Sequence, residues 1–154
     1  MKKINFNIVL VNPQIPNNTG NIGRLCVGSL SRLHLVKPLG FEITDSRVKR
    51  AGLDYWSDLD LTYHNNFEEL VSSIPNMPRV FFFTTRAKQT YYDINYQEGD
   101  WLVFGREADG LPQEVIDTYT NQCVKIPFSG KVRSFNLGNA VAMALGEGLR
   151  QLDL

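Results

Sequence analysis

Two stretches of consecutive apolar residues most constrain what this chain can fold into: Val80-Phe81-Phe82-Phe83-Thr84 and Trp101-Leu102-Val103-Phe104. Neither alternates apolar with polar residues, so neither suits a sheet with one wet face. Such runs belong to strands covered on both sides. Ile4 to Val11, Leu33 to Val36 and Cys123 to Ile126 read the same way, and Leu59 to Tyr63 adds a brief strand. Between them lie stretches with helical character: Ile22 to Leu30, Asp45 to Ala51, Phe67 to Ser73, Pro112 to about Tyr119, and Leu137 to Leu152. Asn66 followed by Glu69 predicts a capping box, and Pro112 suits a first helical turn. Strands alternating with helices predict an α/β fold, a parallel sheet flanked by helices. The 154 residues predict one domain, 1–154, with room for a sizeable core.

Charge narrows the function classes. Sixteen basic residues balance sixteen acidic ones. A protein that coats nucleic acid carries a basic excess, so any such contact here must come from a local patch. Cys26 and Cys123 stand far apart, without a CxxC or a nearby histidine pair, which supports neither a disulfide framework nor a metal site. Met1-Lys2-Lys3 leads into a short strand, not into an apolar segment long enough for a signal peptide or a membrane span. A soluble cytoplasmic protein is expected.

In open parallel sheets, ligands bind beyond the carboxyl ends of the strands, and three loops expected there are unusual. The first, Asn17 to Arg24, holds amides and glycines ahead of an expected helix start, with Arg24 one turn inside the helix. The second, Gly105 to Pro112, brackets Arg106, Glu107 and Asp109 with glycines. Gly105 permits close backbone approach, and Glu107 can accept hydrogen bonds. The third, Ile126 to Asn139, is basic through Lys131 and Arg133, and puts Ser134 and Asn136 at or before a helix start. One of those two is expected to cap that helix. Taken singly, each loop reads equally well as a capped turn with solvated charges.

Other nucleotide motifs fail. Lys125 and Val132 occupy positions where a phosphate-cradling loop around Gly130-Lys131 needs glycine and a hydroxyl residue. Gly146 and Gly148 start a GxGxxG pattern that Gln151 breaks. Tyr91, Tyr92 and Tyr96 offer rings for base stacking, although core packing suits most of them better. His34 and His64 have no evident catalytic partners.

Taken together, the loops resemble the three motifs of the SPOUT, or α/β-knot, RNA methyltransferases. IPNNTGNIGRLC (15–26), KRAGLDYW (49–56), FGREADGLP (104–112) and IPFSGKVRSFNLGNAVAMALGEGLRQL (126–152) fall in the order and spacing of the minimal, TrmL-type branch. The resemblance covers nearly the whole chain. It implies a parallel sheet with a deep C-terminal trefoil knot, a homodimer, and S-adenosylmethionine (AdoMet) as cofactor without a metal. It implies 2′-O-methylation of the wobble nucleotide of tRNA, position 34, cytidine or modified uridine, with leucine tRNA the expected substrate. DNA, lacking the 2′-hydroxyl, is excluded, and no membrane partner is implied. By position, Phe83, Thr84, Gly105, Ile126 and Ser134 would hold the cofactor. Arg24, Glu107, Ser134 and Asn136 would serve the reaction, and Arg24, Lys131 and Arg133 the RNA. Arg106 and Gly146 depart from the family's common residues. The competing readings are methylation of ribosomal RNA or another tRNA site, a non-catalytic RNA-binding knot protein, and an AdoMet-binding regulator.

Overall fold

The computed structural model describes residues 3–153, and the side chains at 49 and 52–54 lie outside the described set. Met1 and Lys2 of the charged N-terminus, and the side chains of Lys49, Gly52, Leu53 and Asp54 in the KRAGLDYW segment, therefore receive no structural account. Seven strands form one sheet: β1 (Phe6–Val11), β2 (Arg32–Val36), β3 (Leu61–His64), β4 (Val80–Phe83), β5 (Gln89–Thr90), β6 (Asp100–Phe104) and β7 (Cys123–Lys125). Their order is β3-β2-β1-β6-β4-β7-β5, and every pairing is parallel. The continuous apolar runs have the cause expected of them. β1, β4 and β6 are buried along their whole length.

Among the described residues five α-helices accompany the sheet, α2 packing on α1: α1 (Pro16–Gly28), α2 (Ser46–Gly52), α3 (Phe67–Ser73), α4 (Gln113–Thr118) and α5 (Leu137–Gln151). Phe6, Ile8 and Leu10 point to one face, where they pack with Ile22 and Cys26 of α1 and with Val141, Ala144 and Leu145 of α5. Val9 and Val11 point to the other, against Leu70 of α3 and Val115 and Ile116 of α4. A sheet sandwiched this way explains why its strands lack a polar face.

The first motif differs from the expected loop. α1 starts at Pro16, so Asn17 to Gly23 are helical and Arg24 lies more than two turns in. Proline at the first helical position is pre-set for a helix start. The start was hidden because Ile15, the residue before it, carries no capping oxygen. At α3 the expected cap is present but shifted on one side. Asn66 accepts from the Glu69 N–H at 2.8 Å, while the Glu69 carboxylate accepts from the N–H of Asn65, not of Asn66.

The small residues of α5 are used partly within the chain. A Cβ at Gly148 would lie 2.6 Å from the Phe6 ring, whereas one at Gly146 would meet nothing within 4 Å. Ala144 and Gly148 are thus spent on packing α5 against its own sheet, and its exposed positions are Asn139, Met143, Gly146 and Arg150.

Candidate active site

The carboxyl ends of β4, β6 and β7 open into a pocket of about 250 Å³. Its apolar wall is Phe83, Phe104, Ile126, Leu137 and Ala140, and its polar rim includes Thr84, Arg86, Glu107, Arg133 and Ser134. Phe83 stacks on Phe104 with centroids 4.6 Å apart. The Thr84 N–H donates to the Val124 carbonyl at 2.9 Å, carrying the ladder one residue past β4 to the pocket mouth. All five residues expected at the cofactor, Phe83, Thr84, Gly105, Ile126 and Ser134, line this one cavity.

Gly105 has a reason of its own. A Cβ there would sit 2.1 Å from the Gly110 carbonyl carbon and 2.2 Å from the Leu111 nitrogen. The close backbone approach predicted at Gly105 is made by the chain's own loop, which folds back on itself. Arg106 and Gly110 form a bridge across that loop, and the Arg106 guanidinium binds both carboxylate oxygens of Asp109. Gly110, at φ +71°, makes the return turn that glycine alone adopts at no cost.

Glu107 occupies the junction between motifs. Its carboxylate accepts from the N–H groups of Gln14 and Ile15, both at 2.8 Å, and from the Asn18 amide at 3.3 Å. It therefore supplies the cap that Ile15 cannot, with a negative charge at the positive end of α1. Asn18 passes the connection on, because its Oδ1 accepts from Asn136 Nδ2 at 3.2 Å. Asn136 in turn caps α5, accepting from the Asn139 N–H at 3.1 Å. Asn18, which composition alone did not single out, thus ties the three motifs together through Glu107 and Asn136.

The remaining expected residues sit apart from the cavity or at its rim. Arg24 does not line the pocket. Eight residues beyond Pro16, it stands roughly 12 Å along α1 from the capped end. It is exposed, with its guanidinium 5.0 Å from the centroid of the Tyr55 ring. The neighbouring Trp56 covers Gly23, where a Cβ would lie 2.8 Å from the indole. The aromatic pair of the KRAGLDYW segment therefore packs on the helix that carries Arg24. Residues 127–136 are exposed throughout. Within them Arg133 and Ser134 face the pocket and Lys131 does not, while Phe128 and Phe135 meet edge to face at 5.6 Å over its mouth.

Of the three tyrosines read as possible stacking rings, Tyr91 and Tyr96 are core residues and Tyr92 is exposed. The two histidines find each other. His34 Nδ1 lies 2.9 Å from His64 Nε2, and His34 Nε2 lies 3.0 Å from Asn7 Oδ1, all buried. Among the described residues no group of three or more His, Cys, Asp or Glu could hold a metal ion, and no helix is long and apolar enough to cross a membrane.

An apolar cleft with a polar rim at strand carboxyl ends suits a nucleoside-bearing ligand. Comparison with known proteins agrees with that chemistry. A Methylovorus glucosotrophus tRNA (cytidine(34)-2′-O)-methyltransferase is 46% identical over 149 residues, covering 96% of each chain. A solved structure described as giving insight into 2′-OH methylation of C/U34 on tRNA superposes with a TM-score of 0.93 at 41% identity, over 99% of both chains. The AdoMet complex of the SpoU methyltransferase AviRb from Streptomyces viridochromogenes shares the fold, with a TM-score of 0.86 at 19% identity over 99% of this chain and 60% of that one. The pattern of the SpoU rRNA methylase family matches residues 5–146, and the chain belongs to that family.

Proposed function

We propose that this protein is an AdoMet-dependent tRNA 2′-O-methyltransferase acting on the ribose of nucleotide 34, with leucine tRNA as substrate. The observation that carries the reading is the convergence of the three motif loops, through Glu107, Asn18 and Asn136, beside one pocket. Relatives of the same length that act on cytidine 34 support the choice of substrate. The cofactor-bound AviRb relative supports the choice of cofactor. The reading includes a single domain with a C-terminal trefoil knot, working as a cytoplasmic homodimer without a metal.

AdoMet, when bound, supplies a methyl group already activated on a cationic sulfonium. Phe83, Ile126 and the Gly105 backbone would hold its adenosine, with Thr84 and Ser134 at the polar edge. The chain's task is alignment of the ribose hydroxyl, worth roughly 7–11 kcal/mol of the barrier. Ser134, exposed at the rim, orients the hydroxyl by hydrogen bonding. Glu107 and Asn136 hold motif one against motif three. Arg24, whose guanidinium lies outside the pocket, orients the RNA and not the cofactor, contacting the ribose hydroxyl or its phosphate. Lys131 and Arg133 add phosphate contacts.

The test is purified protein with labelled AdoMet and total tRNA, followed by nucleoside mapping. Label on the ribose of nucleotide 34 is the expected result. Label in ribosomal RNA or at another tRNA position overturns the substrate. RNA binding with no transfer overturns the enzyme. Sedimentation showing a monomer at micromolar concentration overturns the homodimer.

A further inference from the structure

A second concave surface lies on the same carboxyl edge of the sheet, outside every motif used above. It is an open groove of about 410 Å³ lined by Lys37, Pro38, Leu39, Phe41 and Asn65, the residues that follow β2 and β3. Tyr63, on the edge strand β3, is 40% exposed, and Lys37 Nζ stands 5.3 Å from the centroid of its ring. Lys37 makes no ion pair among the described residues. Asn65 donates Nδ2 to Glu69 and keeps its Oδ1 without a partner there.

Packed backbone links the groove to the reaction pocket. Asn12, at φ 54°, turns the chain out of β1, and its amide reaches the carbonyls of Val36 and Pro38. The Gly40 N–H donates to the Pro13 carbonyl at 2.9 Å, and a Cβ at Gly40 would press on Gln14 at 2.9 Å. Gln14 is the residue whose N–H is held by Glu107. From β6 at the pocket to β3 at the groove is three strand spacings, roughly 14 Å.

We propose that this groove is a stacking subsite for an unpaired base of the substrate RNA, near the nucleotide that is methylated. The proposal rests on the tRNA reading above. An exposed aromatic ring beside a cation that lacks an ion-pair partner is the pairing that single-stranded nucleic acid selects, because the ring takes the base face and the ammonium takes a phosphate. A net charge of zero over the whole chain makes such local patches necessary. Asn65 Oδ1 supplies an acceptor for a base edge.

The test uses the full-length protein and the anticodon stem-loop of a tRNA that the wild type methylates, intact and with an abasic ribose at each other unpaired position in turn. Tyr63→Ala should lose roughly five- to hundredfold in stem-loop affinity. Tyr63→Phe, which keeps the ring, should bind like wild type. Lys37→Gln should reduce the salt slope by roughly 0.7. One abasic position should weaken the wild type by a similar factor and leave Tyr63→Ala unchanged, which identifies the stacked base. AdoMet affinity and melting temperature should be the same in all variants. Tyr63→Ala binding within twofold of wild type, or losing affinity together with AdoMet binding or fold, overturns the subsite. So do abasic sites that weaken both proteins equally. A wild type that methylates no tRNA overturns the functional reading first and the subsite with it, so the two failures are distinct.

Discussion

Glu107 caps a helix from the loop after the neighbouring strand: its Oε2 accepts the N–H of Ile15, 92 residues earlier, at 2.8 Å. The bond joins motif two to the start of motif one. Glu107→Ala should cost about 1 kcal/mol of stability, the usual worth of a lost cap. It should also slow methyl transfer, since the end of α1 and Asn18 lose their anchor. Glu107→Gln keeps one acceptor oxygen and should lie between. Urea midpoints with single-turnover rates check both, and an alanine variant of full stability and rate would show that the cap is dispensable.

Gly23 and Trp56 form a second long-range constraint within the chain. Gly23→Ala puts a methyl 2.8 Å from the indole and 3.2 Å from Leu59, overpacking that should cost about 1–3 kcal/mol. Because the clash is with one ring, Trp56→Leu in the same chain should recover part of the loss. A double-mutant cycle with no coupling would place the strain elsewhere.

Arg24→Ala should abolish methyl transfer and leave AdoMet affinity unchanged, because Arg24 is absent from the pocket lining. Calorimetry beside the transfer assay separates the two. Lost cofactor binding in a folded variant would move Arg24 into the cofactor site.

The basic loop should divide its work between neighbours. Lys131→Ala should weaken binding to all tRNAs alike and lower the salt slope by roughly 0.7. Arg133→Ala should do the same and also reduce AdoMet affinity, since only Arg133 faces the pocket. Substrate preference should be unchanged in both. Altered preference at equal affinity would assign the loop to base reading.

The buried histidine pair makes stability depend on acid. Burial, with His64 and Arg32 nearby, pushes His34 from 6.5 down to about 3. His64 is lowered as well, mainly by burial, with Glu69 opposing. In the unfolded chain both protonate near 6.5, so below that pH the unfolded state binds more protons. Stability is therefore complete above about 6.5 and falls as pH drops toward 3, by up to about 1.4 kcal/mol per pH unit for His34. Urea midpoints between pH 7 and pH 4.5 should fall steadily, and less steeply in His34→Asn. A flat profile would mean that the folded pair accepts protons freely.

Much of the sheet was legible because its strands announce themselves. Val80-Phe81-Phe82-Phe83 has no polar position to spare, so it could only be a strand covered twice. β5 was not legible, as the two residues Gln89–Thr90 are too few for any period. The start of α1 was missed for a physical reason: its capping group lies on another loop, and local capping signals at Ile15 are absent. The site was legible as three odd loops and a resemblance, and every expected cofactor residue lines one pocket. The bonds that assemble it were not, because Asn18 meets Asn136 across 118 residues, a spacing that no periodicity encodes. Nor did the sequence pair His34 with His64, which become neighbours only when β2 and β3 align.

The long-range cap also orders events as the chain is made. The ribosome releases Ile15 and Asn18 well before the residues that hold them, Glu107 and Asn136, have been added. Until then the first helix carries unsatisfied amides at its leading end, where short helices are marginal in water. The N-terminal half can pair β1 with β2 and β3 early, but the end of α1 must wait for loops made late, a closure of high contact order that slows the last step. Glu107, Asn18 and Asn136, which join the motifs beside the pocket, therefore complete the fold last: a chain cut before residue 136 cannot tie motif one to motif three.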